Sequence, residues 1–419
     1  MEGLSAQIGE ARSLLKNRPF RWLWAAQFST VVAVYGLSLA SVVLVEDRSR
    51  SSTQTSLVIL SSILPAFVGS LVAGAIVDRW GRVRVLIASH LIRALVALTF
   101  WASLQLLSPG PSVITVYAAS AAMALLSQFA MPAEMALLPD LVGQARLMAA
   151  NTLFQFSMLV GEGLGIVFLG PLVIKVAGAA AMGLSSMLLC FLALTLVASL
   201  PREQTQPDLT GDKWAGWAAW RSDLQAGWRT IAQDRLLGLV VLEATLAAML
   251  LLVLLSLLPG LVSRQLGMGV EDTSLLLLPG GIGFALGAYV VNRWEERLSR
   301  QGWIATGLIS VGVNIGLLTA LTGKEGAINL LFSLIPILGV GLALGLVIIP
   351  ARTVLQESPP AAMRGRVIAT QLALGNAAAA IPLLIGGNLA DRLGVRPVMG
   401  LLSLLALGLG LAGLRYTSR

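Results

Sequence analysis

The chain has 419 residues, of which 56% are hydrophobic and only 12% charged, with a mean hydropathy of +0.83. An average soluble domain carries about 25% charged residues, so this chain could not cover a globule of its size with polar surface, which excludes a soluble enzyme, a disordered regulator and a secreted disulfide scaffold. Single Cys190 allows no intramolecular bridge, lone His90 allows no multi-histidine metal site, and the net charge of +8 is distributed for a membrane rather than for nucleic acid.

A bilayer-crossing helix needs about 20 mostly apolar residues. On that ruler spans are predicted at 20–44, 55–77, 85–107, 112–131, 150–174 and 178–200, then, after a polar stretch, at 236–260, 273–291, 303–322, 327–349, 367–388 and 397–414. No segment alternates apolar and polar residues as a barrel strand would, and backbone in lipid must satisfy its own hydrogen bonds. The expectation is an all-α membrane protein of twelve transmembrane helices. With the N-terminus inside, the inner segments hold 21 of the 29 basic residues, the outer ones seven, and Arg93 lies within a span. That asymmetry sets both termini in the cytoplasm. The first 19 residues are polar, so no cleaved signal peptide is expected.

Span one carries no acid; its polar groups are Gln27, Ser29, Thr30 and Tyr35. The turn after span two reads Gly74-Ala75-Ile76-Val77-Asp78-Arg79-Trp80-Gly81-Arg82. Gly74 would let two helices approach, Gly81 would permit a tight reversal, Asp78 could accept bonds from a helix N-terminus or an arginine, and Arg79 and Arg82 would stay at the wet face. In span three, Arg93 would snorkel or pair with an acid such as Glu134, and His90 would make an interhelical bond. Gln128 lies in span four, which Pro132-Ala133 ends.

Charge near the bilayer centre costs at least about 2.5–3.5 kcal/mol and asks for a reason. Glu162, halfway along span five with Gln155 and Met158 near it, is either a proton-binding carboxylate or a permanently protonated acid bonded to a neighbouring helix. Residues 201–235 read as a linker, with Trp214, Trp217, Leu224, Trp228 and Ile231 forming the apolar stripe of an amphipathic helix on the inner membrane surface. Glu243 in span seven is either a second cavity carboxylate or a group near the inner gate with a basic partner. Pro350-Ala351 ends span ten, 218 positions after Pro132-Ala133, and Leu137 and Arg146 match Leu355 and Arg364 at the same offset. The domains are therefore 1–200 and 236–419, two pseudo-symmetric bundles of six helices joined by the linker. Asn376 lies mid-span eleven, and Gly387-Asn388-Leu389-Ala390-Asp391-Arg392-Leu393-Gly394 at its outer end could form an outer latch or simply cap the helix. Aromatic residues make up only 6%, which suits an amphipathic or lipid-like substrate better than an aromatic cage.

The turn Gly74 to Arg82 resembles the signature loop of the major facilitator superfamily, in the position where that family carries it. Leu15-Lys16-Asn17-Arg18-Pro19-Phe20-Arg21, Asp223 to Arg229 and Gly365-Arg366-Val367 are similar to the drug and macrolide efflux branch that includes the enterobactin exporters. Gly170-Pro171 resembles the glycine-proline motif of antiporters. The resemblance implies a central cavity bordered by spans five and eleven, with Glu162, Glu243, Gln155, Asn376, Tyr35 and Gln128 as candidate lining groups. Gly74, Asp78, Arg79, Gly81 and Arg82 would form the conformational gate motif, and Gly387, Asp391, Arg392 and Gly394 the outer latch. The implied function is secondary active, proton-coupled export of a small amphipathic or drug-like molecule by alternating access. A lipid flippase or siderophore exporter without obligatory proton coupling is the alternative. No phosphate-cradling G-x-x-x-x-G-K-[ST] loop is present, and no cofactor, metal, nucleic acid or enzymatic cluster is implied. The partners are the substrate, protons and membrane lipids, and a monomer would suffice.

Overall fold

The computed structural model of the chain describes residues 13–201, 216–321, 327–360 and 363–417, without the side chains of 71, 72, 74, 75, 78, 109–111, 216–220, 327–330, 416 and 417. In chain order the helices are α1 (Arg18–Ser49), α2 (Ser52–Trp80), α3 (Arg82–Leu106), α4 (Pro109–Val142), α5 (Leu147–Gly163) and α6 (Gly170–Ala198). They continue with α7 (Gly216–Gln233), α8 (Arg235–Gln265), α9 (Thr273–Arg293), α10 (Arg300–Leu321), α11 (Ala327–Glu357), α12 (Arg364–Leu393) and α13 (Val395–Thr417). The linker supplies α7, so spans seven to twelve are α8 to α13. Among the described residues eleven helical segments are long and apolar enough to cross a membrane. One of them, Gln144–Ala198, runs for 55 residues and holds spans five and six on either side of Gly178, whose φ of 82° breaks the helix. Each of the twelve predicted spans thus falls on a helix among the described residues.

Two prolines act differently from the expectation. Pro132 and Pro350 do not end their helices, which run on to Val142 and Glu357. A proline removes one helical hydrogen bond, and within a packed membrane helix neighbouring groups and small local adjustments re-satisfy the freed backbone. The α4 helix stops instead at Gly143, where φ turns to 72°.

The chain forms two compact units. One contains residues 1–44 and 61–217, the other 45–60 and 218–419. The second unit therefore includes the turn from α1 to α2, which a division at the linker does not anticipate. The core of the first unit is built on Phe20, Leu23, Leu86, Leu138 and Phe154, all fully buried, with the two phenyl rings 5.9 Å apart. In the second unit Leu250, Leu257, Leu276, Ile315 and Leu383 play that part. There α9 lies directly on α11 because both present glycines. A β-carbon at Gly283 would collide with the Leu338 carbonyl oxygen, and one at Gly341 with the Gly280 carbonyl oxygen. Membrane helices lack a hydrophobic drive toward one another, and such backbone-to-backbone approach supplies the packing that replaces it.

The amphipathic helix of the linker is present as α7. It does more than rest on a surface: Asp223 pairs with Arg366 at 2.8 Å, Gly227 sits against the Arg366 carbonyl and Thr370, and Ile231 is buried. This docks α7 on the first turns of α12 and leaves Trp228, 55% exposed, on the outward side. Trp214 and the side chain of Trp217 lie outside the described residues.

Candidate functional site

In the first unit helices α1 to α5 enclose a cavity of about 340 Å³. Its polar lining includes Gln27, Tyr35, Arg93, Gln128, Glu134 and Gln155. Three of the six predicted cavity residues, Tyr35, Gln128 and Gln155, thus come together here. Gln27 is fixed by its amide donating to the Phe154 carbonyl at 3.4 Å and by the Ser157 hydroxyl donating to its oxygen at 3.4 Å. Ser157 itself accepts from the Trp24 indole at 2.8 Å.

Glu162 stands one step off this wall, half-buried and beside the Tyr35 phenol. The local sequence explains how α1 comes near enough. Leu164–Leu169 forms a π-helical turn immediately after Glu162. Such turns are rare and often accompany functional sites. Within it Gly165 faces α1: a β-carbon there would lie 2.8 Å from the Val32 carbonyl oxygen and 3.1 Å from the Gly36 nitrogen. Gly165→Val is therefore expected to force α1 and α5 apart, separate Tyr35 from Glu162 and destabilise the protein by about 1–3 kcal/mol. Thermal unfolding of the purified variant, read beside its transport rate, checks this.

Glu243 and Asn376 do not join them. Both belong to the second unit, where Glu243 is buried and accepts from the Gln301 amide at 2.7 Å to each oxygen, while Asn376 is exposed on α12. The partner of Glu243 is thus a neutral amide on α10, not a basic group. His90 is fully buried, and its Nδ1 lies 3.2 Å from the Thr30 hydroxyl, the interhelical bond expected of it.

In the gate motif Gly81 adopts φ 85° at the start of α3, so the reversal does need glycine. Arg79 is exposed, and Arg82, itself about a third exposed, donates its Nη1 to the Ala136 carbonyl at 2.8 Å and to the exposed Asp140 at 2.6 Å on α4. The Asp140 carboxylate, four residues from Ala136 on the same helix, draws the guanidinium across. The side chains of Gly74 and Asp78 lie outside the described residues.

The richest polar cluster lies in the second unit, at the turn from α1 to α2. Asp391, at the end of α12, accepts from the backbone nitrogens of Ser52 at 2.7 Å and Thr53 at 3.1 Å, and from the Ser51 and Thr53 hydroxyls at 2.6 Å each. The carboxylate satisfies orphan amides at the first turn of α2, where the helix dipole also favours negative charge. Gly387, one turn earlier, allows the approach, since a β-carbon there would meet the Ser56 hydroxyl at 2.7 Å and the Ser52 carbonyl at 2.8 Å. Gly394 ends α12 with φ 91°, and Arg392 is exposed. Beside Asp391, Arg264 of α8 reaches Glu46 at 3.3 Å, Asp391 at 3.7 Å, the Arg50 carbonyl at 3.1 Å and the Ser52 hydroxyl. Glu46 is fully buried and also accepts from Thr55 at 3.1 Å and Ser263 at 3.2 Å. Neither Glu46 nor the role of Arg264 was foreseen. The available signal was scarcity, because Arg264 is one of only seven basic residues that the charge asymmetry assigns to the outer segments.

The apolar helices among the described residues are those of a multi-pass membrane protein. The Major Facilitator Superfamily model matches residues 23–382, and the chain belongs to that family. It is 29% identical over 389 residues to the multidrug efflux pump Tap of Mycolicibacterium fortuitum, covering 88% of each chain. With the enterobactin exporter EntS of Escherichia coli O1:K1 / APEC it shares 27% identity over 373 residues, 85% of this chain and 81% of the relative. Solved structures of similar fold include a peptide transporter POT, at TM-score 0.70 and 16% identity with 98% of each chain covered. Another is the nucleoside transporter NupG, at TM-score 0.67 and 12% identity, covering 94% of this chain and 99% of the other. At these identities the structural likeness concerns the fold alone.

Proposed function

We propose that this transporter exports a small amphipathic molecule by alternating access, driven by protons, with both termini on the cytoplasmic side of the cell membrane. The observation that carries the reading is the double position of Tyr35, which lines the cavity and also stands beside Glu162. A proton arriving on Glu162 removes the charge that fixes the phenol, so Tyr35 no longer presents its oxygen to the substrate in the cavity. Substrate and proton then compete through one side chain, as exchange in opposite directions requires. The efflux names of the relatives support the direction of transport. Asp391, with Gly387, serves as the outer latch, because its bonds to the first turn of α2 hold helices from both sequence halves within the second unit. Arg82 and Gly81 belong to the corresponding inner motif.

The second reading is export without obligatory proton coupling, for a siderophore or a lipid, and the enterobactin exporter relatives favour it. Everted vesicles loaded acid-side-in and offered dansyl-tagged amphiphiles of anionic, cationic and zwitterionic type distinguish the two. Accumulation that a protonophore collapses is expected; accumulation indifferent to the gradient supports the uncoupled exporter instead.

A further inference from the structure

The cavity of the first unit has a feature that its polar amides and phenol do not explain: two oppositely charged side chains in its wall that do not form an ion pair with each other. Arg93 of α3 is 2% exposed and Glu134 of α4 is 7% exposed, and both line the cavity. Among the described ion pairs neither takes part. The Arg93 Nη2 donates to a neutral hydroxyl, that of Ser127 at 2.9 Å, and its buried Nε has no hydrogen-bond partner among the described residues. The hydroxyl of Ser120, 8% exposed on the same wall, also lacks one.

An unmet donor on a buried charged group costs more than an ordinary missing hydrogen bond. A purely structural pair would remove that cost by closing to contact distance, since breaking or separating buried charges is unfavourable. Here both groups line one cavity without closing into an ion pair. Their sum is zero, so a ligand of single charge would leave a net charge in a medium of low dielectric, whereas one carrying both charges would not. The remaining wall holds Met123, Met131, Met135 and Met158. Methionine is flexible and polarizable and adapts to apolar groups of varied shape.

We infer that Arg93 and Glu134 form a two-point ionic subsite for a zwitterionic amphiphile, with the acidic end of the ligand on Arg93 and its ammonium end near Glu134. The apolar tail lies along the methionines. This rests on the reading of the cavity as the substrate chamber, and it narrows the substrate from amphipathic in general to amphipathic with a dipolar head.

The test uses purified full-length protein in nanodiscs and four probes with one octyl chain: octyl dimethylglycine (zwitterionic), octyl trimethylammonium (cationic), octanoate (anionic) and octyl glucoside (neutral). Affinity is read calorimetrically with no pH gradient, so failure of proton coupling leaves this result untouched. The zwitterion is expected to bind about tenfold or more tighter than each of the other three. Arg93→Gln should erase its advantage over the cationic probe, and Glu134→Gln its advantage over the anionic one. Should a variant fail to fold, the wild-type ranking still decides. Equal affinity for all four, or tightest binding of a singly charged or neutral member, overturns the inference.

Discussion

Arg264→Ala is expected to lower the stability of the purified protein by about 3–5 kcal/mol, the cost of leaving a buried charge without its partner. Glu46 is fully buried and relies on Arg264 for its only described cation, at 3.3 Å. The Thr55 and Ser263 hydroxyls also reach it, but neutral donors do not replace the guanidinium. The same guanidinium reaches Asp391, the Arg50 carbonyl and the Ser52 hydroxyl, so its removal loosens the whole turn from α1 to α2. The double variant Glu46→Leu with Arg264→Leu should recover most of the loss, because replacing both members of a buried pair by apolar groups is often neutral or better. Denaturant unfolding of wild type, each single variant and the pair measures the coupling directly. Loss near zero in Arg264→Ala would show that the cluster is not an energetic clasp.

Glu162→Gln is expected to abolish gradient-driven accumulation while leaving folding intact. Glutamine is isosteric with the protonated acid, and the close approach of α1 and α5 rests on Gly165, so the packing survives, yet the side chain carries no ionisable proton. The variant should still exchange substrate across vesicles at uniform pH, since alternating access itself needs no titration. Tyr35→Phe offers the complementary case: it retains the acid but cuts the link from Glu162 to the cavity, and coupling should weaken without vanishing. Measuring accumulation and equal-pH exchange on the same preparations separates the two steps. Retained accumulation in Glu162→Gln would remove this acid from the coupling role.

Much of the architecture was legible because bilayer thickness leaves a strong mark. Runs of about 20 apolar residues have one meaning in a chain this poor in charge. The charged contacts were less legible for identifiable reasons. The Gly387 to Asp391 pattern announces a carboxylate at a helix end, but a carboxylate motif does not say whose amides it will satisfy, and Ser51-Ser52-Thr53 read as an ordinary polar turn. Glu46 stands beside Asp47 and Arg48 and looks solvated; α1 in fact continues to Ser49, five residues past the predicted span, which turns Glu46 inward. Glu243 was misleading in the other direction. An acid in a membrane span suggests a cavity, but Gln301 fifty-eight positions later supplies two donor contacts that no local pattern could reveal. Arg93 and Glu134 were recognisable as candidate partners, while their shared place in a cavity wall depends on how α3 and α4 pack. The prolines at 132 and 350 do not mark the helix ends, since packed membrane helices accommodate a residue that would break an isolated one.

Simultaneous recording of proton and amphiphile movement in one population of proteoliposomes tests proton-driven export most directly. A dansyl-tagged amphiphile reports substrate and an enclosed pH dye reports protons, with the pH initially equal on both sides. The expected result is that a substrate gradient alone drives protons in the opposite direction, and that Glu162→Gln eliminates the proton signal but not the movement of the amphiphile. Substrate movement in the wild type with no accompanying proton movement would contradict it.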